Sequence, residues 1–217
     1  ACVRHKGMYR FLTGNQLGII MFYYIIKKKK EFLDYSRKLV IIKTFVSSKM
    51  INAIAKKEHC DVITVQTGFK NIAEQIAILE NKKELSKFIF AFEESNGYLC
   101  GTYTRDKDAI SAALLLSEAA AHFKRNNMSL IDVLNNLREK YGYYTEKNIN
   151  FEFKGPEGKS NIHKVISSLK NSPPKELGSF KVIKVNDYNT LYNVSGDIIS
   201  FDLGNETEII IRPSGTE

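Results

Sequence analysis

The chain has 217 residues, of which 43% are hydrophobic and 26% charged, the composition of a folded globular protein able to bury a core rather than of a disordered chain. Its longest apolar run, Leu17 to Ile26, stops at four lysines and is half the roughly 20 residues of a bilayer span, so no membrane partner is expected. An excess of 32 Lys and Arg over 24 Asp and Glu, net +8, raises nucleic acid or an anionic small molecule as partner. The lysines scatter along helical stretches such as 27–38 and 82–87, which favours solvated faces over a nucleic-acid surface. Cys2, Cys60 and Cys100 lack any CxxC spacing, so neither a disulfide framework nor a zinc site is expected, and a reduced, cytoplasmic setting fits.

In chain order, Ala1–Leu12 reads as β-like, and Thr13 caps a helix with Leu17, Ile20, Met21, Tyr24 and Ile25 at helical spacing. The apolar run Leu39–Phe45 reads as a strand covered on both faces. Ser47 and Ser48 open a helix through Ala55, Cys60–Val65 is a strand, Asn71–Leu79 a helix and Lys87–Phe92 a strand. Short connections between these imply parallel βαβ units, with ligand positions in the loops Gln66–Lys70 and Glu93–Asp108. A long helix over about Asp106–Arg125 follows, then a helix from Ser129 to Tyr141 with Asp132 in the capping-box position. Beyond Gly142 the pattern becomes α+β: a strand over Tyr143–Phe153, a helix over about Glu157–Leu169, and strands near Phe180–Tyr188, Asp197–Asp202 and Glu208–Arg212. A domain boundary is placed near Asn126–Ser129.

Four stretches carry residues suited to chemistry. Thr67-Gly68-Phe69-Lys70 joins a strand end to a helix start, where free N–H groups and Lys70 suit an anion, although a plain strand-to-helix turn looks the same. Glu93-Glu94-Ser95 follows an apolar strand; adjacent acids point to opposite sides, so one of them faces a ligand and can accept from sugar hydroxyls, against the alternative of a polar Asn-Gly turn. Arg105-Asp106-Lys107-Asp108 sits at a helix start, where either acid can cap, while cations are disfavoured by the dipole and point to a ligand. Arg212-Pro213-Ser214-Gly215-Thr216 ends a strand with a guanidinium fork, hydroxyls and approachable backbone, an anion cradle without the P-loop pattern. The four histidines lie far apart without ligand spacing, and no metal site is expected here.

In this order the four stretches, together with Leu12-Thr-Gly-Asn-Gln-Leu-Gly18, resemble the third and fourth domains of the α-D-phosphohexomutases, the family of phosphoglucomutases and phosphomannomutases. The resemblance implies an α/β fold: a parallel βαβ domain of third-domain type over residues 13–127, an incomplete α+β fourth domain over 128–217, and residues 1–12 as the tail of a preceding domain. It implies interconversion of hexose 1-phosphate and 6-phosphate, most closely of glucose, through an enzyme phosphoserine and a bisphosphate. Thr67, Gly68, Lys70, Glu93, Ser95 and Arg105 would bind substrate, Lys107 would be catalytic, and Arg212, Ser214, Gly215 and Thr216 would hold phosphate. The catalytic-serine loop and the Asp-rich magnesium loop of that family are absent from this sequence. The resemblance therefore implies a fragment, inactive alone, whose partners are the hexose phosphate and the missing N-terminal domains of the same chain. Mg2+ would be held outside the fragment, and glucose 1,6-bisphosphate would serve as activator and intermediate. A phosphomannomutase or phosphopentomutase fragment, a non-catalytic sugar-phosphate binding module and a basic nucleic-acid binder are the competing readings.

Overall fold

The computed structural model describes residues 1–32, 38–155, 157–188 and 197–213. It divides into two compact units, Ala1–Glu146 and Lys147–Glu217.

Unit 1 opens with a hairpin of β1 (Cys2–His5) and β2 (Met8–Phe11), turned by Lys6 and Gly7, both at positive φ. Helix α1 (Gly14–Phe32) follows, with a reciprocal cap in which Gln16 donates its N–H to Thr13 Oγ1 and accepts that of Thr13. The five apolar positions of α1 expected from helical spacing are buried, and Ile19, Phe22 and Ile26 are buried as well, so the helix is covered nearly all round. Next come β3 (Val40–Thr44), α2 (Met50–Lys57), β4 (Asp61–Val65), α3 (Phe69–Asn81), β5 (Phe88–Glu93) and β6 (Gly97–Leu99). The sheet order is β4-β3-β5-β6, with the first three strands parallel and β6 antiparallel to β5. Helices α4 (Ala109–Arg125) and α5 (Leu130–Tyr141) complete the unit, which is thus an α/β domain with a mainly parallel sheet.

One face of the sheet packs Ile41, Phe90 and Phe92 into a core with α1, α2, α4 and α5; the other packs Val40, Ile42 and Ala91 under Phe69, Ile72, Ile76 and Leu79 of α3. The pairing of β5 with β3 slips between Val40↔Phe88 and Ile41↔Phe90, so β5 carries one extra residue there. Ile89 and Phe90 consequently share one core although they are neighbours, and the alternation beyond them is reversed. Ala91 and Glu93 thereby fall on the α3 side.

Several expectations need correction. The turn at Asn126–Ser129 lies inside unit 1 and does not divide compact units, because Leu130, Val133, Leu134, Leu137 and Tyr141 of α5 join the same core as α1. Asn127 takes positive φ in that turn, and Ser129 with Asp132 forms the expected capping box. Helix α2 starts at Met50, after Ser47 and Ser48, which are buried in the β3–α2 connection. The loop 93–108 contains the short strand β6.

Unit 2 contains α6 (Gly158–Asn171), a ribbon of β7 (Glu176–Leu177) with β8 (Phe180–Lys181), and an antiparallel sheet in the order β11-β10-β9, with β9 at Lys184–Asp187, β10 at Ile199–Gly204 and β11 at Thr207–Ile211. Ile166 of α6 is buried, as are Ile198, Ile199 and Phe201, the small apolar core of this α+β unit. The expected strand over Tyr143–Phe153 is not formed: Tyr143, Ile149, Phe151 and Phe153 are exposed and pair with no strand. Phe180–Tyr188 is split between β8 and β9, which pair with different neighbours.

Candidate functional site

The C-terminal ends of β3, β4 and β5 lie side by side because these strands are parallel, which gathers the loops that follow them. Glu93 closes β5 on the α3 side and is only 7% exposed. Its Oε1 accepts the N–H of Gly68 at 2.7 Å. Gly68 precedes the first residue of α3 with φ 106°, a conformation that glycine adopts without strain. The N–H expected to receive an external anion is therefore engaged by an internal carboxylate. What this carboxylate offers outward is its remaining lone pairs, held at a fixed place.

Gly97 faces Glu93 across the β5–β6 pair. A Cβ added to Gly97 would lie 3.1 Å from Glu93 Oε2, 3.3 Å from Lys107 Cδ and 3.3 Å from Phe69 Cε2, so this bare glycine marks where the three side chains converge. Lys107 Nζ stands 5.9 Å from the centre of the Phe69 ring, within reach of a cation–π attraction. Asn96, at φ 67°, supplies the left-handed residue of the three-residue hairpin loop, so the expected Asn-Gly turn is formed directly after Glu93. Gly97 is the residue that sequence reasoning undervalued. Its pairing with Asn96 suggested only a turn, whereas it is needed for space.

Glu94 reaches away to another loop, where Thr44 Oγ1 donates to its Oε2 at 3.4 Å. The two adjacent acids thus serve different loops. Lys43, Thr44, Ser47 and Ser48, which sequence reading passed over, are buried at this end of β3. Ser95 is exposed in the turn, and Thr67 is half-buried with its carbonyl accepting from Asn71 Nδ2 at 2.9 Å. Lys70 is exposed in the first turn of α3, with no partner among the described residues. Arg105 is held away from Glu93: its guanidinium pairs with Glu80 at 2.8 Å and donates to the Thr102 carbonyl at 2.6 Å. Asp108 caps α4, accepting the Ile110 N–H at 2.9 Å and the hydroxyl of Tyr103; these and other hydrogen bonds hold its carboxyl below the usual range.

In unit 2, Arg212 follows β11, is exposed, and has no partner among the described residues. Ser214, Gly215 and Thr216 lie outside the described residues. Among the described residues no three His, Cys, Asp or Glu side chains gather in a way that could hold a metal. The magnesium implied by the resemblance finds no donor set among them. No helix among the described residues is long and apolar enough to cross a membrane.

The family model for phosphoglucomutase/phosphomannomutase, alpha/beta/alpha domain III, matches residues 13–141. A phosphomannomutase from Mycoplasmoides pirum is 34% identical over 216 residues, covering 99% of this chain and 38% of that protein. A glucose 1,6-bisphosphate synthase from Homo sapiens is 34% identical over 237 residues, covering 99% and 37%. A phosphoglucomutase from Staphylococcus aureus is 31% identical over 231 residues, covering 100% and 40%. The solved structure of the exocytosis-sensitive phosphoprotein pp63/parafusin, a phosphoglucomutase from Paramecium, shares the fold with a TM-score of 0.67 at 17% identity, over 100% of this chain and 36% of that one. The chain belongs to the phosphoglucomutase/phosphomannomutase family, and it spans 37–40% of the length of these three relatives.

Proposed function

We propose that this chain is the third domain and most of the fourth of a longer phosphohexomutase, and that it supplies the sugar- and phosphate-binding loops for interconverting hexose 1-phosphate and hexose 6-phosphate, with glucose as the preferred sugar. The observation that carries the reading is the Glu93 carboxylate, fixed through one oxygen by the Gly68 N–H while its other oxygen borders Gly97, which the Lys107 side chain also approaches. A carboxylate that cannot swing presents its lone pairs to ring hydroxyls at fixed angles, and recognition by charge-assisted hydrogen bonds discriminates between epimers. Ser95 adds a hydroxyl from the same turn, and Thr67, Gly68, Lys70 and Arg105 stand on the flanking loops.

A phosphoserine elsewhere in the parent donates its phosphoryl group to the free hydroxyl of the hexose phosphate, giving the bisphosphate. After the sugar reorients, the opposite phosphate returns to the serine. The hydroxyl proton lost in the first transfer is regained in the second, so the sum is an isomerisation, with glucose 1,6-bisphosphate as intermediate and activator. Lys107 stabilises the charge that develops on the moving phosphoryl group or holds the exchanged proton. Arg212, with Ser214, Gly215 and Thr216, grips the phosphate that is not reacting, and such remote binding positions the reacting end. Mg2+ would be bound by the parent outside these residues.

A coupled assay with glucose 1-phosphate, glucose 1,6-bisphosphate and magnesium tests this. The full-length protein is expected to turn over and the purified 217-residue chain to be silent. Turnover by the chain alone would overturn the fragment reading.

A further inference from the structure

Among the described residues of unit 1, every buried polar side chain but Glu58 lies around the C-terminal ends of β3 and β5. Asn15 at the start of α1 is 6% exposed, Lys43 2%, Thr44 0%, Ser47 2% and Ser48 0%, beside Glu93 at 7%. Polar groups remain stable in such surroundings only where protein hydrogen bonds replace those to water. Here most of the replacing bonds lie within the β3–α2 connection or join it to α1, and one, from Thr44, reaches the turn that follows Glu93.

We propose that Thr44 is a positioning residue for Glu93, acting through Glu94; the proposal rests on the reading of Glu93 as the acceptor for sugar hydroxyls. The Thr44 hydroxyl has a single proton and donates it to Glu94 Oε2 at 3.4 Å, so the Ser47 hydroxyl, 2.8 Å from Thr44 Oγ1, is the donor in that second contact. Lys43 Nζ donates to the Ser47 carbonyl at 3.0 Å and to the Thr44 carbonyl at 3.4 Å, which ties the β3–α2 connection to the end of β3. From the other side α1 closes on the same turn. A Cβ on Gly14 would overlap the Glu94 carbonyl, Tyr98 donates its hydroxyl to the Gly14 carbonyl at 2.9 Å, and Asn15 Oδ1 accepts the Ser48 N–H at 2.9 Å. The turn leaving Glu93 thus meets α1 through its backbone and the end of β3 through the Glu94 side chain, while the Glu93 carboxylate itself is held by Gly68. The Thr44–Glu94 bond is long for an O–H donor, so its share is modest.

The test is made in the full-length protein with glucose and mannose phosphates as substrates. Thr44→Val removes the hydroxyl at nearly constant volume, Thr44→Ser keeps it, and Glu93→Gln is the reference for the sugar reading. Thr44→Val is expected to raise KM by about two- to threefold, less than the effect of one ordinary hydrogen bond because the contact is long. It should shift the glucose-to-mannose ratio of kcat/KM in the direction that Glu93→Gln shifts it, and Thr44→Ser should restore both. Unchanged KM and ratio in Thr44→Val, beside an affected Glu93→Gln, would overturn the positioning role. An unaffected Glu93→Gln would overturn the sugar reading itself. If Thr44→Val does not fold, Glu94→Gln replaces it: a smaller shift in the same direction supports the proposal and an unchanged ratio refutes it.

Discussion

Glu93 in unit 1, proposed for sugar hydroxyls, and Arg212 in unit 2, proposed for phosphate, lie in opposite surroundings. Glu93 is buried and bonded to backbone, in a turn packed from two sides. Arg212 is exposed and unpartnered among the described residues. The difference follows the chemistry assigned to each. Telling one hydroxyl arrangement from another depends on angles, which only a fixed acceptor defines. A phosphate presents oxygens in every direction and attracts a guanidinium over a longer range, so a cation for it needs less prior fixing.

That contrast can be broken by four measurements on the full-length protein or the chain. Glu93→Gln is expected to have the largest effect, a fall in kcat/KM of about 10–100-fold, corresponding to loss of a charged hydrogen bond, with altered discrimination between glucose and mannose phosphates. Equal losses for both sugars would reduce Glu93 to a scaffold role. Arg212→Ala should raise KM more than tenfold while leaving serine phosphorylation, read by intact mass, as in wild type. Unchanged kinetics would remove Arg212 from phosphate binding. Lys107→Ala should lower kcat and kcat/KM together, by about tenfold, since its charge matters as the phosphoryl group moves. A rise in KM alone would make Lys107 a binding group like Arg212.

The smallest effect is on stability, and it sets a control outside both regions. Tyr141 donates to Glu58 beside Lys140, and burial first, then that bond, pushes its hydroxyl from 10.0 up to about 12. A raised value means the neutral phenol is favoured in the folded state. Its contribution is full below pH 10 and is lost as pH rises through 12. Tyr24, pushed to about 12 by burial and by Glu118, acts in the same sense. The thermal midpoint of the chain should hold between pH 7 and 9 and fall across pH 10 to 12; Tyr141→Phe should flatten that fall. An identical alkaline profile in the variant would show that Tyr141 is not its source.

The order of strands and helices in unit 1 was legible because each element there obeys its own period. Val40–Thr44 is buried throughout as its apolar run required, and Asp108 and Ser129 cap the helices they precede. Within Tyr143–Phe153, Ile149, Phe151 and Phe153 alternate with polar residues as in a strand, yet alternation specifies a face and not a partner, and none is supplied among the described residues. The boundary near Asn126–Ser129 followed the change to an α+β pattern further on, whereas Asn127, a residue type that tolerates positive φ, makes one tight turn there within unit 1. In the site, the gathering of Glu93, Gly68 and Lys107 could be anticipated from loops after parallel strands. The departure of Arg105 to Glu80 could not, since a salt bridge between residues 25 apart leaves no trace in local pattern. The buried hydroxyls of Thr44, Ser47 and Ser48 were equally hidden, because the same letters usually mark solvated caps.

The extra residue in β5 makes the site a matter of counting. With strict alternation from Phe88, Glu93 would project toward α1, and Glu94 would come next in line for the α3 side. Since the two neighbours are both glutamates, a one-residue slip of β5 would still deliver a carboxylate toward Gly68. Tandem acids therefore tolerate a frame error that a single acid would not, whereas deleting Ile89 would remove the extra residue itself and leave Glu93 on the α3 side.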